Sequence, residues 1–228
     1  MKKAFLFVAL LIIGGCSSTR DISNVDISES DLLAGERLLK IQIVAPGIKA
    51  EGSGSWISND LVITASHLFS DMPLDSIVRV GNGRHWLSAK VVAGNDPATL
   101  DLVVLRVIGD ESVASPLKTL IPVCSKPVKP GEMVSVSSAL PKGTTYTYGS
   151  PNFAVQADSE RRESTEFLTG FYDKGTSGGP VYQVPGGCLA GVISLGIKRK
   201  NGASDIYATK FVTAHEIKRF LDDNKITY

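Results

Sequence analysis

From residue 38 onward, apolar runs of four to eight residues alternate with short clusters of Gly, Pro, Asn, Asp and Ser. The runs fall at 38–45, 54–57, 61–65, 77–80, 86–92 and 102–108, then at 133–137, 145–149, 153–157, 166–169, 180–184, 189–195 and 206–210. Short Val- and Ile-rich segments at this spacing predict the strands of an all-β sandwich or barrel. Between the two sets lies a proline-containing stretch, 115–130, which predicts a linker between two β units, 32–114 and 131–228, each of a common domain size. The pattern changes at the end of the chain. Thr213 and Glu216 stand at capping-box spacing, and Ile217, Phe220 and Leu221 share one helical face, so a short C-terminal helix is predicted there.

The first residues follow a different pattern. Lys2 and Lys3 precede an apolar run, 4–13, that meets Gly14-Gly15-Cys16. A basic start, about ten apolar residues and small residues at a cleavage point predict a secretory signal over 1–15, too short to span a bilayer, which needs roughly 20 apolar residues. Ile13-Gly14-Gly15-Cys16 resembles the lipobox of bacterial lipoproteins. The resemblance implies that Cys16 is acylated and anchors the chain to a membrane, and Ser17 after it implies the outer membrane of a bacterial envelope, facing the periplasm. Two or three acyl chains hold a protein stably where one is marginal. The polar tract 16–31 has no sustained period and is expected to be a flexible tether.

Composition narrows the function. Hydrophobic residues make up 43% of the 228 and charged residues 21%, an ordinary globular balance with a formal charge of +1. Removal of 1–15 takes Lys2 and Lys3 with it and leaves 22 basic against 23 acidic residues. There is no electrostatic case for nucleic acid as a partner. Three Cys exclude a disulfide-framework miniprotein, and three His leave little for a multi-ligand metal site, so no metal or cofactor is expected.

Three segments carry chemistry. Gly52-Ser53-Gly54-Ser55-Trp56-Ile57 leads through an apolar strand to Thr64-Ala65-Ser66-His67, which places an imidazole at a strand end. Asn95-Asp96-Pro97-Ala98-Thr99-Leu100-Asp101 opens another apolar strand, a costly place for the Asp101 carboxylate unless a donor or a charge meets it. Gly175-Thr176-Ser177-Gly178-Gly179-Pro180 surrounds one Ser with glycines that permit a tight turn and close approach. A serine needs a neighbouring base to act as a nucleophile, and the base needs an orienting acid. The chain order is His, Asp, Ser, spaced by 34 and 76 residues, with the first two in one β unit and the third in the other.

Thr64-Ala65-Ser66-His67 and Thr176-Ser177-Gly178-Gly179-Pro180 resemble the signatures of trypsin-like serine proteases, and the segment 91–107 resembles the bacterial HtrA-type branch. The resemblance implies a pair of six-stranded antiparallel β-barrels of the chymotrypsin type with a C-terminal helix. It implies Ser177 as nucleophile, His67 as general base and Asp101 as its orienting acid, with Asp96 in an Asn-Asp-Pro turn as the rival acid. The backbone N–H groups of Gly175 and Ser177 would form the oxyanion hole. Ser194-Leu195-Gly196 would pair with an extended substrate backbone by strand addition.

The sequence also departs from the family. Thr176 stands where secreted trypsin-like enzymes have an Asp that binds a newly cut N-terminus, so that mode of activation is expected to be absent. HtrA enzymes usually carry PDZ domains after the protease, and the sequence ends at Tyr228, so peptide-sensing regulation of that kind is not expected. Specificity cues conflict: Phe171, six residues before Ser177, would make the primary pocket shallow, whereas Asp205 would favour Lys or Arg. Lys198-Arg199-Lys200 reads as a solvated hairpin tip, with attraction of acidic substrates as the other reading. With Cys16 committed to lipid, Cys124 and Cys188 form an even pair, expected to be a disulfide in an oxidising compartment. Two readings of function stand: a lipid-anchored serine endopeptidase acting on protein or peptide substrates in the envelope, and a protease-fold binding or chaperone module with little turnover.

Overall fold

The computed structural model describes residues 38–46, 48–72, 76–83, 85–109, 122–129, 131–140, 143–149, 167–169, 175–184, 187–201 and 204–228. The signal (1–15), Cys16, the tether (16–31), the strand expected over 153–157 and Phe171 lie outside these residues. Among the described residues, no helix is long and apolar enough to cross a membrane.

Strands β1 (Leu38–Ala45), β2 (Ile48–Trp56), β3 (Leu61–Thr64), β4 (Ile77–Gly81), β5 (Trp86–Gly94) and β6 (Val103–Ile108) close an antiparallel barrel in the order β1-β2-β3-β6-β5-β4. Alternation explains the filling: Ile41, Ile43, Val62, Val80 and Leu105 point into the barrel, while Arg79 and Lys90 between strand neighbours face water. β3 and the start of β6 break the alternation, because Leu61, Val62, Ile63 and Thr64, and likewise Val103, Val104 and Leu105, are all buried. Their second faces join the core of the other unit, where Leu61, Ile63, Leu102 and Val104 cluster with Val134, Val181 and Val192. A strand covered on both faces reads as an unbroken apolar run, and these do.

The second unit is a six-stranded antiparallel sheet. Its strands are β7 (Val134–Leu140), β8 (Gly143–Gly149), β9 (Phe167–Thr169), β10 (Pro180–Gln183), β11 (Leu189–Asn201) and β12 (Ser204–Thr213), in the order β8-β7-β10-β11-β12-β9. The sequence predicts a second closed barrel. Among the described residues β8 and β9 are instead the outer strands, and the chain between them, 150–166, lies outside the description. Helix α1 (Ala214–Asp223) starts on the predicted capping box: the Thr213 side chain accepts from the Glu216 N–H, and the Glu216 carboxylate accepts from the Thr213 N–H at 2.8 Å. Ile217, Phe220 and Leu221 are buried against the sheet. Cys124 and Cys188 form a disulfide, with Cα atoms 5.0 Å apart, that ties the segment before β7 to the β10–β11 turn.

Two elements run further than the apolar pattern. β2 begins at Ile48, not at 54, and pairs with β1 from Ile48 to Ser55 although it carries Lys-Ala-Glu-Gly-Ser. The small residues that disguise this strand are needed where the second unit comes against it. β11 continues through Lys198, Arg199 and Lys200 to Asn201, which pairs with Ser204 and puts the basic residues at the end of a long hairpin.

Candidate active site

The antiparallel pairing of β3 with β6 sets Thr64 opposite Val103. His67 lies three residues past Thr64, in a 3-10 turn over Ser66–Phe69, and Asp101 lies two residues before Val103, so the register alone delivers both to one end of the barrel. Asp101 is almost fully buried, whereas about a third of the His67 side chain is accessible. Four donors surround the carboxylate. Oδ1 accepts from the His67 backbone N–H at 2.8 Å and from the Ser66 hydroxyl at 3.1 Å. Oδ2 is 2.7 Å from His67 Nδ1 and accepts from the Ser194 hydroxyl at 2.5 Å.

Burial by itself would raise the Asp101 pKa. The hydrogen bonds from the His67 ring and from Ser194 oppose it, joined by the charge of His67 and the bond from its backbone N–H, and together they hold the carboxyl below its ordinary value. An ionised carboxylate only accepts, so its contact with Nδ1 requires the proton on that nitrogen, and whenever the ring is neutral the free lone pair is on Nε2. This is the tautomer a general base needs.

The loop carrying Ser177 comes from the second unit and is seated on the first. The Ser53 N–H of β2 donates to the Ser177 carbonyl at 2.7 Å, and the Ser53 hydroxyl donates to the Gly175 carbonyl at 2.6 Å. On the other side, Gly178 N–H donates to the Ile193 carbonyl at 2.8 Å and Gly179 N–H to the Thr176 carbonyl at 2.7 Å. Gly178 has φ +80°, and a Cβ there would run into Thr64 Oγ1 and the Ser53 carbonyl. Only glycine permits both the conformation and the approach. Ser177 is thereby held next to the strand end that leads to His67.

Residues 52–192, more than half of the sequence, match the trypsin-like peptidase domain. The chain belongs to this family. The peptidase matches no curated protein. Its fold resembles the active form of the Rv3671c protease from M. tuberculosis, with a TM-score of 0.64, 23% identity, and coverage of 88% of this chain and 86% of that one. A serine-to-alanine mutant of Rv3671c in an inactive form gives 0.60 and 21%, covering 88% and 93%. The serine endoprotease from Yersinia pestis gives 0.64 and 21%, covering 88% and 67%.

The other expected site residues of the peptidase separate into groups. Gly175 adopts φ +94°, in the left-handed region that favours glycine. A register shift in β11 between Ile193 and Leu195 leaves Ser194 as a bulged residue. Bulges re-aim side chains, and this one turns the Ser194 hydroxyl inward to Asp101, while Leu195 and Gly196 are exposed. Ser194 therefore holds Asp101, a role the sequence reading did not assign to it. Asp205 is placed by the register of β12. It pairs with Lys200 near the hairpin end, five residues from Lys210, the partner of Leu195. That is about 17 Å along an extended strand, at ~3.4 Å per residue, so its strand position is remote from the Ser194–Gly196 segment. Phe171 lies outside the described residues. Ser66, Thr64 and Ser53 were missed as supports of the site. The Ser66 and Thr64 hydroxyls act within the first unit, on Asp101 and on the Ser53 carbonyl, while the Ser53 hydroxyl reaches Gly175 in the second, and no local pattern marks such contacts.

Proposed function

We propose that the chain is a lipid-anchored serine endopeptidase that hydrolyses envelope proteins through Ser177, His67 and Asp101. The observation that carries this reading is the saturated Asp101 carboxylate, whose four donors fix the His67 ring with Nε2 unprotonated at the accessible end of the first barrel. His67 takes the proton of the Ser177 hydroxyl as its oxygen attacks the scissile carbonyl, and later returns a proton to the leaving amine. The backbone N–H groups of Gly175 and Ser177 stabilise the oxyanion, and loss of one such donor costs on the order of 3 kcal/mol. Water then hydrolyses the acyl-enzyme by the same proton path in reverse.

Substrate would add as a strand along Leu195–Gly196. β10 pairs with β11 only as far as Val192, so among the described residues this edge beyond the Ser177 loop is open. Anchoring rests on Cys16 and the signal before it, and the oxidising compartment it implies agrees with the Cys124–Cys188 disulfide.

Fluorophosphonate labelling tests the chemistry. The chain should label, and Ser177→Ala should abolish labelling and lower kcat by about 10^6. Folded chain that never labels would replace the enzyme with a binding module on the same fold. Incorporation of labelled palmitate, lost in Cys16→Ser, tests the anchor.

A further inference from the structure

Ser53 lies fully buried in the middle of β2, with its N–H, carbonyl and hydroxyl all engaged outside the β1–β2 ladder. Its N–H donates to the Ser177 carbonyl at 2.7 Å, and its carbonyl accepts from the Thr64 hydroxyl at 2.6 Å. Its hydroxyl sits between the Ala139 N–H of β7, at 2.8 Å, and the Gly175 carbonyl, at 2.6 Å. The roles of that hydroxyl are forced. The Ala139 N–H can only donate, so the oxygen accepts it, and the single hydroxyl proton is left for the Gly175 carbonyl.

The two backbone bonds would survive most substitutions at 53. The hydroxyl bond depends on the side chain. It falls on a glycine with φ +94°, a residue whose own sterics leave its carbonyl direction open. Fixing that carbonyl fixes the Gly175–Thr176 peptide plane, the second before Ser177. We propose that the Ser53 hydroxyl is a positioning group that preorganises the Gly175–Ser177 loop, so that the loop is ordered by a neutral contact from the first barrel. The proposal rests on the peptidase reading for its consequence in catalysis, while the ordering of the loop stands on the contacts themselves.

The test compares Ser53→Ala with Ser55→Ala in the full chain. Ser55 is on the same strand and equally buried, but its hydroxyl pairs with Tyr182 OH at 2.7 Å and not with the loop. Two readouts are taken: steady-state hydrolysis of a peptide substrate, and amide hydrogen exchange of the 175–179 segment by mass spectrometry. Ser53→Ala should lower kcat about 10- to 100-fold with KM within twofold, and speed exchange in the segment, whereas Ser55→Ala should do neither. Ser53→Thr keeps the hydroxyl and should stay close to wild type in both, which covers failure of Ser53→Ala to fold. Unchanged exchange in folded Ser53→Ala, or a folded Ser53→Thr with loosened loop and lost kcat, overturns the proposal, as does an equal effect from Ser55→Ala. A wild-type chain that hydrolyses nothing would overturn the peptidase reading alone, and faster exchange in Ser53→Ala would still support the pin.

Discussion

Reduction of the Cys124–Cys188 disulfide should lower stability far more than activity. The bridge closes a sequence separation of 64 residues. The chain-entropy relation for a loop of that length is about 14 cal/mol/K, or about 4 kcal/mol at 25 °C. For a protein of this size each kcal/mol moves Tm by about 2–4 °C, so reduction should lower Tm by about 10 °C. The loss should be thermal and not catalytic, because the bonds that seat Ser177 come from Ser53, Ile193 and Thr176 and do not involve the cysteines. The assay is calorimetry with and without a reductant, beside kcat at 25 °C, on a chain with Cys16→Ser so that only the pair is titrated. A Tm change under about 3 °C, or two free thiols in the unreduced unfolded chain, would refute the reasoning. A tenfold fall in kcat at 25 °C would show that the β10–β11 turn controls the site in a way its hydrogen bonds do not suggest.

Three further outcomes are expected. The folded pKa of Asp101 lies below its ordinary 3.8, so its contribution to stability is complete above that value and drains away as pH falls through the lowered one. The Tm difference between wild type and Asp101→Asn should therefore be flat above about pH 5 and shrink in more acid solution, and a difference that grew there would contradict the assignment. The same variant should lose about 10^4 in kcat at neutral pH. Gly178→Ala forces a Cβ onto Thr64 and Ser53 at a positive φ, and should cost about 1–3 kcal/mol in denaturant unfolding and slow fluorophosphonate labelling together. Asp205→Asn should leave kcat/KM for Lys and Arg substrates within twofold of wild type, and a marked loss of that preference would mean that β12 reaches the pocket by a route its register does not indicate.

Much of this was legible because the chemistry sits at strand ends. The runs at 61–65 and 102–108 locate β3 and β6 nearly to the residue, and antiparallel pairing then makes neighbours of His67 and Asp101. The Thr213 capping box was equally plain, since all its bonds lie within four residues. What the apolar pattern concealed were contacts chosen by packing between units. Gly52 and Ser53 lie before the apolar run that starts at 54, yet they belong to a strand whose small side chains let the Ser177 carbonyl come close. The bulge at Ser194 was invisible for a related reason, because a one-residue shift in pairing leaves no mark on an apolar run. Asp205 stands far along β12 because β11 and β12 pair out to Asn201 and Ser204, a hairpin length that the apolar run ending at 195 does not reveal.

The double-sided burial of β3 and β6 bears on when the molecule becomes dangerous to its surroundings. An isolated first half would present Leu61, Ile63, Leu102 and Val104 to water, on the two strands that end in His67 and Asp101. The fourth donor to Asp101, Ser194, and the apolar cover of these two strands arrive only once the Ser177-bearing half has docked. Under the proposed mechanism a partly synthesised chain without that half carries the acid and the base but no Ser177, so hydrolysis waits on the docking of the second unit.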